Sequence, residues 1–285
     1  MTAAADTAGR AKGNPEQGLA LGLVAMAPLL VVGEVAAIQA AESGRSAAQA
    51  LLFLGLEPLG SAGDWLRRFA LCAVIVAAAW RLHRQAIPLV PGVMRRLGEG
   101  VLGALALGPL LLGLGPGLGW LFRVLGSGGE VGDGAFAPLA GRLGASAMAG
   151  PAPSLATGAL VAAAGAWEEI LCRVLLYGLL MLAVRRSALL LRCPSSVATW
   201  AGEILGLAGS ALLFAALHLE SVLAHFSGLI GSGGEPFEAA IFTWRLSAGI
   251  LLGLLFRWRG PGVAAWTHAL FNLGLLLGAG PGVLL

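Results

Sequence analysis

SLATGALVAAAGAWEEILCRVLLYGLLMLAV, residues Ser154–Val184, decides how this chain is read. It is longer than the roughly 20 apolar residues that cross a bilayer, yet Glu168, Glu169 and Arg173 sit near its middle. Each such charge costs about 2.5–3.5 kcal/mol at a helix centre in hydrocarbon, so three together call for a reason, and inside a membrane the default reason is function. On a helix, residues four apart share a face. Glu169 and Arg173 are therefore expected to pair, which lowers the penalty of burying both. Glu168 is turned about 100° away, has no cation on its own face, and is left free to act.

The rest of the chain agrees with a membrane setting. Of 285 residues, 58% are hydrophobic and only 12% charged, and the mean hydropathy is +0.85; a soluble domain carries about 25% charge. An all-α, polytopic transmembrane bundle follows, because a spanning segment must satisfy its own backbone and helices do so. The formal charge of +3 comes from scattered arginines and gives no reason to expect nucleic-acid binding. Cys72, Cys172 and Cys193 show no paired spacing, so no disulfide framework is expected. The polar start, residues 1–17, lacks the apolar core of a secretory signal, and neither end carries a lipidation motif.

Seven stretches qualify as spans: Leu19–Ala40, Trp65–Leu82, Val101–Leu125, Ser154–Val184, Val197–Phe226, Glu238–Phe256 and Gly262–Leu284. The second is short. The third contains Pro109, Gly115, Pro116 and Gly117 and is expected to kink or split. Gly126–Pro153 reads as a long polar loop. Threading seven spans puts Arg10, Lys12, Arg81, Arg84, Arg95, Arg96, Arg185, Arg186, Arg192, Arg257 and Arg259 on one side. Arg45, Arg67, Arg68, Arg123 and Arg142 fall on the other, so the richer side and the N-terminus are expected to be cytoplasmic. Small-residue pairs Gly202/Gly206, Gly249/Gly253 and Gly274/Gly278 are expected to let helices pack closely. Glu34 and Glu203 have no obvious partner and are expected to make helix-packing hydrogen bonds. Trp65, Trp80 and Trp258 read as interfacial anchors, and His83 and His225 as residues near span ends. The organisation expected is a polar segment 1–17, motif-free helices and loop over 18–150, and a functional core over 151–285.

Two later spans each bring a histidine. Phe214 and His218 share a face, as do His268 and Asn272. A desolvated carboxylate is a better proton acceptor than one in water, a histidine beside it can orient and shuttle protons, and an imidazole with an amide can donate to an oxyanion. Together these describe water-mediated peptide hydrolysis without a covalent intermediate. Two Glu–His pairs also admit zinc, with Glu168, His218 and His268 as ligands, but the spacing is not that of a zinc-protease helix and a cofactor-free site is favoured. His268 lies only about six residues past the turn at Gly260–Gly262, roughly 9 Å along a helix. Glu168 lies further from its own arginine-rich end, so either the fourth helix outruns the membrane or the span boundaries shift.

The order EExxxR, FxxxH, HxxxN over Ala166–Asn272 resembles the CPBP (CAAX protease and bacteriocin-processing, or Abi) intramembrane endopeptidases, the family of the Ras-converting prenyl protease. The resemblance implies Glu168 as catalytic glutamate, His218 as its water-activating partner, His268 and Asn272 as oxyanion stabilisers, and Glu169, Arg173 and Phe214 in support. Cys172 and Val174 stand where the family usually has phenylalanine and glycine, and the Glu168–His218 interval is long, which bears on the substrate channel. The chain is also similar to the myxosortases, sorting enzymes that cleave C-terminal anchoring tails. The implied partners are the lipid bilayer and a membrane-anchored, lipidated or sorting-tail protein, in the inner membrane of a bacterium. A non-catalytic scaffold or immunity protein is the alternative; an ion relay is disfavoured by the absence of an internal repeat.

Overall fold

The computed structural model describes residues 15–39, 46–124, 154–223 and 236–277. These form α1 (Pro15–Gln39), the short α2 (Ala47–Leu52) followed by a 3₁₀ turn (Leu54–Leu59), α3 (Ser61–Arg84) and α4 (Leu89–Val124). Next, α5 (Leu155–Glu169) runs through a π-helical stretch (Ile170–Tyr177) directly into α6 (Gly178–Leu190). α7 (Ser195–Ala216), α8 (Glu220–Leu223), α9 (Ala239–Arg259) and α10 (Pro261–Leu276) complete the set, with no strand among the described residues. Trp65–Leu82 lies wholly on α3, and the other candidate spans each overlap a helical rod: Val197–Phe226 leaves α7 at Ala216, and Ala40, Leu125, residues 224–226 and residues 278–284 lie outside the described residues. By length and composition, Gln17–Gln39, Leu89–Leu118, Ser195–Ala216 and Ala239–Arg259 are long and apolar enough to cross a membrane. The polar start up to residue 14, the whole Gly126–Pro153 stretch, Gly278 and His225 lie outside the described residues.

The distribution of side chains is that of a protein whose solvent is lipid. Alanines fill the interior, among them Ala25, Ala166, Ala198, Ala211, Ala264 and Ala269 at 0% exposure, while Val32, Phe69, Val76, Leu102, Leu179 and Ile204 point outward. In lipid a large apolar side chain gains nothing by burial, whereas small residues let helices close on one another. Gly202 packs on the Met181 carbonyl, Gly249 on Ala211 and Gly253 on Leu207, as their spacing predicts. At Gly274 an added Cβ would meet no atom of the described residues within 4 Å, so no close approach is seen there.

One other expectation changes. Pro109 and Pro116 neither split nor end α4, which is a single helix from Leu89 to Val124; neighbouring helices tolerate the missing donors. Arg67 and Arg68 lie near the start of α3. Arg67, 3% exposed, pairs with Glu34, and Arg68 Nε lies 3.2 Å from Glu34 Oε2. Gln49 donates to the same carboxylate at 3.0 Å, so Glu34 ties α1, α2 and α3 together. Glu203 likewise is partnered, by Arg257 at 2.8 Å and by Tyr177. Both glutamates thus make the helix-packing bonds expected of them, with partners that a single helix face does not reveal.

One end of the bundle collects the arginines. α1, α4, α7 and α10 begin there, and α3, α6 and α9 end there, with Arg81, Arg84, Arg95, Arg96, Arg185, Arg186, Arg192, Arg257 and Arg259. Gly260 joins α9 to α10 at this end; its φ of 87° is a left-handed conformation that a side chain would strain. Pro261 then starts α10 with its φ already set. The continuous rod from Leu155 to Leu190 is roughly 50 Å long at about 1.5 Å per residue, beyond the about 30 Å of a hydrocarbon core. A rod of that length leaves room for Glu168 to lie further from its arginine-rich end than His268 lies from Gly260.

Gly103 places α10 against α4. A Cβ there would collide with Thr267 Oγ1, and Thr267 is buried, donating to the Gly100 carbonyl at 3.2 Å. Gly103→Ala is expected to cost about 1–3 kcal/mol by overpacking. Because Thr267 precedes His268, it should also slow the reaction; the thermal unfolding midpoint in detergent and the processing rate check both.

Candidate active site

The polar interior is assembled at the junction of α5 with its π-helical continuation. Such wide turns recur at functional sites because they redirect side chains. Here the turn buries Cys172 and Arg173 completely, next to the fully buried Glu169. Arg173 Nη1 lies 3.3 Å from Glu169 Oε1, so the pair expected from four-residue spacing forms despite the wider turn. The guanidinium also donates through Nη2 to the Gly249 carbonyl at 3.0 Å and lies over the Phe214 ring, 4.7 Å from its centroid. Phe214 is thus a wall that orders three cationic or imidazole groups: its ring stands edge-on to His218 at 5.1 Å and to His268 at 5.5 Å.

Hydrogen bonds fix which nitrogen of each histidine carries a proton. His218 Nδ1 is 2.8 Å from the Phe214 carbonyl. A carbonyl only accepts, so Nδ1 donates and Nε2 is left as the lone-pair nitrogen. His268 Nδ1 is 3.0 Å from Glu169 Oε1. Glu169 is held as a carboxylate by Arg173, so Nδ1 donates here too, and Nε2 faces Glu168 Oε2 at 3.5 Å. That separation is within ion-pair reach but longer than a hydrogen bond. Glu168 Oε2 itself is buried without a hydrogen-bond partner. One imidazole therefore stands between the two adjacent carboxylates, one committed to Arg173 and the other open.

Two adjoining cavities meet at this point. The wider, about 420 Å³, is lined by Ser46, Ala47, Ala48, Glu168, Phe214, Leu217, His218, Leu223 and Arg245. The narrower, about 50 Å³, holds His268 and Asn272 and shares Phe214, His218 and Arg245 with the first. All seven residues picked from the sequence are therefore gathered in one region, with Glu168 on the wide side and Asn272 on the narrow side. No three His, Cys, Asp or Glu side chains among the described residues are arranged to hold a metal ion.

Residues 150–274 match the family model described as type II CAAX prenyl endopeptidase Rce1-like. This region belongs to that family. No curated protein and no solved structure matches the chain. The matched region spans α5 to α10, so Glu168, Glu169, Arg173, His218, Arg245 and His268 all lie within the part of the chain that is similar to a protease family, and helices long and apolar enough to cross a membrane accompany it.

Parts of the lining of the two cavities come from outside the matched region. Ser46–Ala48, at the start of α2, edge the wide cavity, and Leu107 and Leu111 of α4 line the narrow one. Trp244 Nε1 donates to the Leu111 carbonyl at 2.7 Å, which pins α9 to α4 beside it. Arg245 of α9, which belongs to none of the three motifs, is a further residue of the site. It borders both cavities, and the signal was available: an arginine in an apolar helix is as costly as the glutamates that drew notice.

Proposed function

We propose that this chain is an intramembrane glutamic endopeptidase that hydrolyses a peptide bond near the C-terminus of a membrane-anchored, lipidated or sorting-tail protein. The observation that carries the reading is the meeting of Glu168, His218 and Arg245 on one cavity, with His268 3.5 Å from Glu168. Glu168 takes one proton from water, and His218, through its lone-pair Nε2, accepts a hydrogen bond from the remaining O–H and so aims the oxygen. The oxygen bonds to the scissile carbonyl carbon, and the negative charge that develops on the carbonyl oxygen is met by the Asn272 amide and by His268, whose Nε2 becomes a donor by drawing on the proton that Glu168, 3.5 Å away, has just gained. When the carbon–nitrogen bond breaks, Glu168 returns its proton to the departing amine. Glu169, fixed by Arg173, keeps His268 in one tautomer and orientation, a positioning role.

This reading uses no metal. Strong chelation is expected to leave processing unchanged, measured with the chain in membranes; activity lost to the chelator and restored by zinc would overturn it in favour of Glu168, His218 and His268 as ligands. The orientation we infer puts the N-terminus and the arginine-rich end in the cytoplasm of a bacterium, on the bias of nine arginines to that end. The substrate is found by comparing membrane proteomes of a deletion strain and a Glu168→Gln strain. Unprocessed C-terminal tails should accumulate in both. Tails that accumulate only in the deletion strain would favour a scaffold that needs no catalysis.

A further inference from the structure

We infer that the catalytic cavity is reached from the face of the membrane opposite the arginine-rich end, so that the substrate is a polypeptide tail presented on the exported side; this rests on the protease reading and on the orientation just given. Helix direction carries it. The wide cavity is bordered by Ser46–Ala48, beyond the far end of α1, by Leu217 and His218 at the far end of α7, by Leu223 of α8, and by Arg245, two turns from the far end of α9. None of the nine arginines at the other end lines it or the narrow cavity.

From the arginine-rich end the way is closed by packing. Val263, Ala264 and Ala265 are at most 1% exposed. A Cβ on Gly262 would lie 2.9 Å from Ala25 Cβ, and Trp266 Nε1 donates to the Ala25 carbonyl at 2.7 Å. Thr267 is locked to Gly100 at the next turn. A separate cavity of about 910 Å³ does open at that end among Arg95, Arg96, Arg257 and Arg259, but none of the site residues lines it. A tail arriving from there would have to part α1, α4 and α10; the wide cavity at the other end holds Glu168, 16% exposed, in its wall.

The test labels two introduced cysteines with a membrane-impermeant maleimide, in full-length protein carrying Cys72→Ser and Cys193→Ser; Cys172 is buried and stays. Ala47→Cys reports the cavity mouth, and Ser187→Cys, exposed on α6, reports the arginine-rich end. In right-side-out vesicles from the expressing cells, Ala47→Cys should label and Ser187→Cys should not; inverted vesicles should reverse both. Labelling of Ala47→Cys from the inverted side, or of both positions from one side, overturns the proposal. Repeating the labelling with Glu168→Gln separates the two readings. An unchanged pattern with processing retained would reject the glutamate mechanism and leave the sidedness standing.

Discussion

Glu168→Gln is expected to abolish processing while the protein folds and inserts as before. The amide matches the carboxylate in size, and Glu168 Oε2 has no hydrogen-bond partner to lose. Arg173 is engaged by Glu169 and not by Glu168, so the substitution leaves the buried ion pair intact. What disappears is the proton acceptor facing the cavity. General-base catalysis contributes about 10²–10⁴-fold, and processing of the accumulated tails should fall by at least that factor. The unfolding midpoint in detergent should stay near that of the parent. A variant that still processes at the parental rate would place the base elsewhere and leave Glu168 with a purely structural part.

The largest loss of stability is expected at Arg173. Its side chain is fully buried and holds together three groups from different helices: Glu169, the Gly249 carbonyl and the Phe214 ring. Arg173→Met leaves Glu169 as a buried carboxylate without its cation, which costs about 3–5 kcal/mol. The double change Glu169→Gln with Arg173→Met removes both charges, and well-packed neutral replacements of a buried pair can be close to neutral. It should therefore unfold later than Arg173→Met alone. Activity should not return with stability, because His268 loses the carboxylate that sets its tautomer at 3.0 Å. The unfolding midpoint and the processing rate, measured on the same preparations, separate the two effects. If the double variant regains activity along with stability, then Glu169 does not position His268.

The helical, lipid-embedded character of this chain was legible in its residues, because hydrocarbon leaves a spanning backbone few choices and because so little charge remains to face water. The local pairing of Glu169 with Arg173 was legible too, since one turn of helix makes them neighbours whatever surrounds them. What the tertiary structure decided were the relations between helices. His268 lies against both glutamates, Arg245 joins the wall, α2 edges the mouth, and Arg67 turns inward to Glu34. None of these follows from a helix period, which fixes the face a residue occupies but not the height at which two faces meet. That height is set by where glycines and alanines allow contact, as at Gly103 on Thr267 and Gly249 on Ala211. The direction in which the cavity opens is of the same kind: it depends on which helix ends lie together, and only packing brings them there.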